Sequence, residues 1–131
     1  MKFLLDTNTV SYYLRGEPGI VRRMQAQTPA DLCLSAITVM ELRYGVQKRK
    51  SRALTTAVQA ILDDLVVLPF DQPAAEEAGR IRALVENKGV TLGLADAQIA
   101  GHASALGLTL ISSDGAFRRI SGLTVKDWRK D

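Results

Sequence analysis

The sequence predicts an α/β fold in which a central, mainly parallel sheet is covered by helices on both faces. Short apolar runs alternate along the chain with stretches in which apolar residues recur at helical spacing. The apolar runs are hydrophobic at nearly every position, which is typical of strands that helices bury on both faces. The chain has 131 residues, of which 47% are hydrophobic and 24% are charged. We therefore expect a single domain over residues 1–131 and exclude a disordered or fibrous chain.

In the first part of the chain, strands lead directly into helices. Residues 2–5 are apolar and end in a polar turn that can cap a helix, which stops before Gly16 and Pro18. Residues 32–37 are apolar again, and helical spacing then continues to residue 48.

The same alternation continues to the C-terminus. Helices are predicted where apolar residues share one face, and Asn87, Gly89 and Gly107 are typical helix stops. The remaining predicted elements are helices over residues 51–65, 74–87 and 94–106 and strands over residues 65–68, 108–111 and 123–125.

Composition and charge limit which cellular compartment and which partners we expect for this protein. No apolar run approaches the roughly 20 residues that span a bilayer, and Asp6 interrupts the N-terminus too early for a signal peptide. The lone Cys33 lies in an apolar run, which fits a packed thiol in a reducing compartment. We therefore expect a cytoplasmic protein that does not bind membranes.

Basic residues cluster in two regions of the chain. The net charge of +3 permits a nucleic-acid partner without requiring one. Residues 43–52 include no acid, and a second basic group lies near the C-terminus. Lysine and arginine at helix C-termini also complement the helix dipole, so both interpretations stay open. The candidate phosphate contacts are Arg43, Lys48, Arg49, Lys50 and Arg118.

Four carboxylates occupy positions that the fold class makes informative. Ligand sites in open α/β sheets lie beyond the carboxyl ends of the strands. Asp6 ends the first apolar run, Glu41 lies one turn into the helix after the second, and Asp114 follows the fourth. Asp96 lies near the start of a helix, on its inward face. We expect these four acids to meet at one edge of the sheet.

Each acid also has a structural explanation that the sequence leaves open. The alternatives are a helix cap for Asp6, a capping box of Thr38 with Glu41, a favourable helix N-terminus for Asp96 and a turn for Asp114. Together, however, four like charges would repel one another unless a cation held them. An oxygen-only set selects Mg²⁺ or Mn²⁺ over zinc, which favours metal-assisted phosphodiester hydrolysis. The single histidine, His102, points away from Asp96 and is expected to be a surface or packing residue.

The segments around these acids resemble the PIN-domain ribonucleases, specifically the VapC toxins of toxin–antitoxin pairs. The resemblance rests on residues 3–8, 35–45, 96–103, 110–114 and 120–128. It implies a three-layer α/β/α PIN fold and an endoribonuclease that depends on Mg²⁺ or Mn²⁺. The implied catalytic and metal-binding residues are Asp6, Glu41, Asp96 and Asp114, with Thr7, Asn8 and Ser112 as supporting polar groups.

The same resemblance implies the partners. They are a second copy of the chain in a homodimer and a VapB antitoxin whose tail enters the active-site groove, assembled into a larger hetero-oligomer. Operator DNA would be contacted only through the antitoxin. The substrate would be RNA, with initiator tRNA as the first candidate, and its cleavage would arrest translation and growth.

Two other functions remain open on the sequence alone. A phosphohydrolase could use Asp6 as an aspartyl nucleophile, although such enzymes usually carry D-x-D where this chain has Asp6-Thr7-Asn8. A non-catalytic module could use the same acids to bind RNA or the basic tail of a protein partner.

Overall fold

A computed structural model describes residues 1–130 and contains a five-stranded sheet in the order β3-β2-β1-β4-β5. All four strand pairings are parallel. The strands are β1 (Phe3–Leu5), β2 (Leu32–Ser35), β3 (Val66–Leu68), β4 (Thr109–Ile111) and β5 (Val125–Lys126). Asp131 lies outside the described residues, so a single domain over 1–131 stays a prediction.

Helices cover both faces of the sheet and confirm the predicted three-layer α/β/α class. Among residues 1–130, none of the helices combines the length and apolarity that crossing a bilayer requires. The helices are α1 (Thr7–Leu14), α2 (Pro18–Gln25), α3 (Ala36–Arg49), α4 (Arg52–Asp64), α5 (Gln72–Asn87) and α6 (Leu94–Leu106). Short 3-10 turns cover Pro29–Asp31 and Gly115–Arg119.

The sheet separates two hydrophobic cores. Successive side chains of a strand point to opposite faces, so Leu4 packs with the α5–α6 side and Leu5 with the side of α1 to α4. The neighbouring strand does the same with Cys33 and Leu34. Complete burial of these four side chains explains why the strands are apolar at nearly every position.

The structure contains one helix that was not expected from the sequence, and one strand ends earlier than expected. The break after the first helix is confirmed, since α1 ends at Leu14, but Pro18 then begins α2, where no helix was predicted. Proline is well tolerated there because the first helical N–H has no acceptor within the helix. The second strand ends at Ser35 rather than at residue 37, because the Ser35 hydroxyl accepts a hydrogen bond from the Ile37 amide and begins α3.

The order of the strands determines where in the fold the candidate site lies. β1 lies between β2 and β4, so the segments that follow these three strands emerge side by side at one edge of the sheet. In open parallel sheets the crevice for a ligand lies at such an edge, where the connections diverge to opposite faces.

Candidate active site

Asp6 is the most deeply buried of the four carboxylates at this edge. Its side chain is 3% exposed, and its Oδ1 accepts a hydrogen bond from the Thr9 amide at 2.8 Å, which caps α1. The Thr9 hydroxyl donates in turn to the Ile111 carbonyl at 3.0 Å, which ties the cap to β4. Asp6 therefore acts as a helix cap and lies at the predicted site at the same time.

Ser112 connects Asp6 with Asp114. The buried Ser112 hydroxyl hydrogen bonds to the Asp6 carboxylate and accepts a hydrogen bond from the Asp114 amide at 3.0 Å. Asp114 is exposed, and its Oδ1 accepts from the Ala116 amide at 2.9 Å, which starts the following 3-10 turn. The turn expected for Asp114 is thus present, and it holds this carboxylate beside the first.

Glu41 reaches the same edge from the second turn of α3. The Thr7 hydroxyl donates a hydrogen bond to Oε1 of Glu41 and lies 3.2 Å from the Thr38 hydroxyl. The capping box considered for Thr38 and Glu41 is wrong, because Ser35 caps this helix and Thr38 lies inside it. The Glu41 carboxylate is instead oriented by Thr7, which lies in the first turn of α1.

Asp96 completes the set from the first turn of α6. Burial and, to a smaller extent, the negative charges of Asp114, Asp6 and Glu41 in that order together raise its pKa to about 6. Burial also raises the pKa of Asp6, whereas its hydrogen bonds from Ser112 and Thr9 lower it. The four acids therefore come from four different parts of the fold and lie near enough for their negative charges to repel one another.

The donor set fits a hard divalent cation that keeps part of its water shell. Within residues 1–130, no three His, Cys, Asp or Glu side chains converge closely enough to enclose one ion. Mg²⁺ typically binds proteins through one or two carboxylates and retains several waters, so it does not require such a cage. Oxygen-only donors and unrelieved negative charge are the features that such an ion needs.

The other predicted residues lie on three elements: α1, α3 and the 3-10 turn after β4. Asn8 is exposed in the first turn of α1. Lys48 and Arg49 belong to the last turn of α3 and Lys50 caps it, a placement that complements the helix dipole, and phosphate contact by this cluster stays a prediction. The Arg43 guanidinium hydrogen bonds to Gln59 of α4. Arg118 is exposed at the end of the 3-10 turn that Asp114 begins.

His102 is a buried packing residue, one of the two expected roles. It is 1% exposed, with Nδ1 2.8 Å from the Ser35 hydroxyl and its ring edge-on to Phe70. Burial lowers its pKa, which favours the neutral ring. The contact joins α6 to the start of α3. Ser35 was missed as the cap of α3, although a serine before a helical stripe is the usual cap signal.

Comparison with known proteins identifies the family to which this chain belongs. Residues 3–123 match the PIN domain family, and the chain belongs to that family. Within it, the chain is similar to VapC proteins. It is 37% identical to the tRNA(fMet)-specific endonuclease VapC of Salmonella typhimurium, over 98% of both chains. It is 33% identical to Ribonuclease VapC2 of Haemophilus influenzae, also over 98% of both.

Solved structures agree with this placement. The chain superposes on DNA-bound VapBC of Salmonella typhimurium with a TM-score of 0.87 and 38% identity, covering 98% of both chains. It superposes on VapBC2 of Rickettsia felis bound to a promoter DNA fragment with a TM-score of 0.89 and 28% identity, covering 98% of this chain and 99% of that one. Both are complexes of a VapC protein with VapB.

Proposed function

We propose that this protein is the endoribonuclease toxin of a type II toxin–antitoxin pair, that it acts in the cytoplasm and that its substrate is tRNA. The observation that carries the proposal is that Asp6, Glu41 and Asp114 lie near enough to Asp96, at one edge of the sheet, for their negative charges to raise its pKa. A relative with 37% identity over nearly the whole chain is a tRNA(fMet)-specific endonuclease, which supports initiator tRNA as the first substrate to test.

Asp6, Glu41, Asp96 and Asp114 are proposed to hold Mg²⁺ or Mn²⁺. When bound, such an ion lowers the pKa of water and neutralises charge that develops on the phosphate. The chain prepares the site by fixing the Asp6 carboxylate through Thr9 and by orienting Glu41 through Thr7. The mutual repulsion of the acids is relieved by a cation, and this relief favours binding.

The proposed partners are a VapB-type antitoxin and a second copy of this chain, with operator DNA bound through the antitoxin. Two of the similar solved structures are VapBC complexes with DNA, which supports this assembly. An arginine in the antitoxin tail could pair bidentately with the carboxylates and compete with the cation. Inhibition would then act directly at the acidic site.

The first test is cleavage of total RNA by purified, antitoxin-free protein in Mg²⁺ or in EDTA. We expect discrete products in Mg²⁺ that are lost in EDTA and in the variants Asp6→Ala and Asp96→Asn. The control is Asp64→Asn, which removes an exposed carboxylate at the end of α4, and it should cleave like the parent protein.

Two results would contradict the proposal. Full cleavage by Asp6→Ala would show that the acidic site is not the catalytic one. If neither the parent protein nor any folded variant cleaved the RNA, the non-catalytic binding module would be favoured instead.

A further inference from the structure

A cavity of about 170 Å³ opens next to the acidic site, between α1, α3 and α4. Thr7 and Glu41 line it on the side of the carboxylates. Its apolar lining comes from side chains that are buried or half-buried, namely Leu14, Leu42, Leu54 and Val58. The cavity therefore continues the candidate active site into a partly apolar recess.

Gly45 is the residue that keeps this space open. It lies in the interior of α3 and borders the cavity. A Cβ atom built on it would meet no heavy atom within 4 Å among the described residues. A glycine inside a helix is destabilising relative to alanine.

Neither packing nor backbone conformation explains this glycine. Gly101 of α6 is the opposite case, because a Cβ there would overlap the backbone of Ala78. Gly45 has the ordinary helical conformation of its neighbours. The space that its missing side chain leaves lies in the cavity beside Glu41, and this cavity is the feature that points to a ligand.

The size and charge of the cavity favour a nucleobase over a peptide. Cavities of roughly 150 Å³ in other proteins hold one six-membered aromatic ring. Two exposed arginines, Arg15 and Arg49, also line the cavity. Guanidinium groups stack on bases and pair with phosphates, and unstacked RNA bases are commonly read in such recesses. These two positive charges suit the phosphates that flank a base, whereas the arginine proposed for the antitoxin tail would pair with the carboxylates.

We propose that this cavity binds one unstacked base of the RNA, next to the phosphate at the acidic site, with Arg15 and Arg49 on the flanking phosphates. The inference rests on the proposed ribonuclease function and deepens it, because it assigns the residues that select the nucleotide. Gly45 is a specificity-determining residue in this view, since any larger side chain there occupies the place of the base.

The test compares Gly45→Leu with Gly79→Leu. Gly79 is also inside a helix, is exposed, and would place its Cβ in open space with respect to residues 1–130. Both variants should fold and melt no lower than the parent, because leucine favours helix over glycine. The first substrate is an oligoribonucleotide that spans the cleavage site found in total RNA. The other two substrates are matched versions of it, each with a single abasic residue, placed on one side or the other of the cleaved bond.

We expect Gly45→Leu to raise KM by about tenfold with little change in kcat, whereas Gly79→Leu should match the parent. One abasic substrate should show a similar loss with the parent and with Gly79→Leu. Gly45→Leu should not distinguish that abasic substrate from the complete one. This insensitivity would not arise from a general disturbance of the fold.

Three outcomes would overturn the inference. They are parent-like kinetics for Gly45→Leu, equal sensitivity of all proteins to the abasic residue, and normal cleavage by Gly45→Leu with loss of antitoxin binding. The last result would identify a peptide as the occupant. Failure of the proposed function looks different, because the parent and Gly79→Leu would then leave the complete RNA intact.

Discussion

At the scale of single residues, Asp96 shows how burial and neighbouring negative charges disfavour an ionised carboxyl in this site. Its carboxyl is half-buried and lies near three other acids, which together with burial raise its pKa to about 6. An unfolded chain would have an ordinary aspartate pKa near 3.9. The folded state therefore binds this proton more tightly than the unfolded state, and ionisation of Asp96 destabilises the metal-free fold as the pH rises from about 4 to about 6.

Replacing Asp96 with asparagine should consequently stabilise the metal-free protein at neutral pH. We expect Asp96→Asn to be more stable than the parent by about 1 kcal/mol at pH 7.5, a figure reduced for solvent screening of a half-exposed group. The advantage should disappear near pH 4, where the parent carboxyl is protonated. Urea unfolding in EDTA at the two pH values measures it.

Asp64→Asn provides the control for this experiment, because it removes an exposed carboxylate outside the site. Equal stability of Asp96→Asn and the parent at both pH values would show that neither burial nor the neighbouring acids penalise the ionised Asp96 carboxyl in the folded protein.

At the scale of elements, the pairing of α5 with α6 positions Asp96. The two helices approach closely where Gly101 faces Ala78, and the Ser104 hydroxyl donates to Glu77 of α5 at 2.7 Å. The His102–Ser35 contact then joins α6 to the start of α3, which carries Glu41. Two acids that are distant in sequence are thus held together by helix packing rather than by a shared loop.

This packing predicts opposite effects for two glycine substitutions. Gly101→Ala should destabilise the protein by roughly 1–3 kcal/mol, since its Cβ would overlap the backbone of Ala78 and the helices would have to separate. Gly79→Ala should stabilise it by a fraction of 1 kcal/mol, because its Cβ points into open space and alanine favours helix. Thermal unfolding of both variants measures the difference, and a stable Gly101→Ala would mean that the helices do not pack this closely.

At the scale of the whole molecule, folding and cation binding are linked. The acids come from the turns and helices that follow three strands and from the start of α6, so the set exists only in the folded chain. A ligand that binds only the folded state raises stability, by about 2.7 kcal/mol at a concentration of 100 times Kd.

Mn²⁺ should therefore raise the melting temperature of the parent in a concentration-dependent way. Asp6→Ala and Asp96→Asn should lose most of this shift, whereas Asp64→Asn should keep it. Differential scanning fluorimetry in a Mn²⁺ titration measures the effect, and an unchanged shift in Asp6→Ala would place the ion elsewhere.

Local patterns in the sequence determined the fold class and the positions of most elements. The continuous apolar runs at β1, β2 and β4 reflect strands buried on both faces, and helical spacing marked α3 to α6 because one face of each helix meets the sheet. Gly107 ends α6 with a φ of 65°, a conformation that favours glycine, so this stop was also visible locally. The four acids could be singled out because they follow strands or begin a helix.

Tertiary structure alone decided whether those acids meet and what surrounds them. Their proximity depends on β1 lying between β2 and β4, a long-range pairing that local spacing does not record. The burial of His102 and the cavity beside Gly45 likewise depend on contacts between distant segments. Periodicity and propensity report how a segment meets its immediate surroundings, whereas strand order and close packing arise only when the whole chain folds.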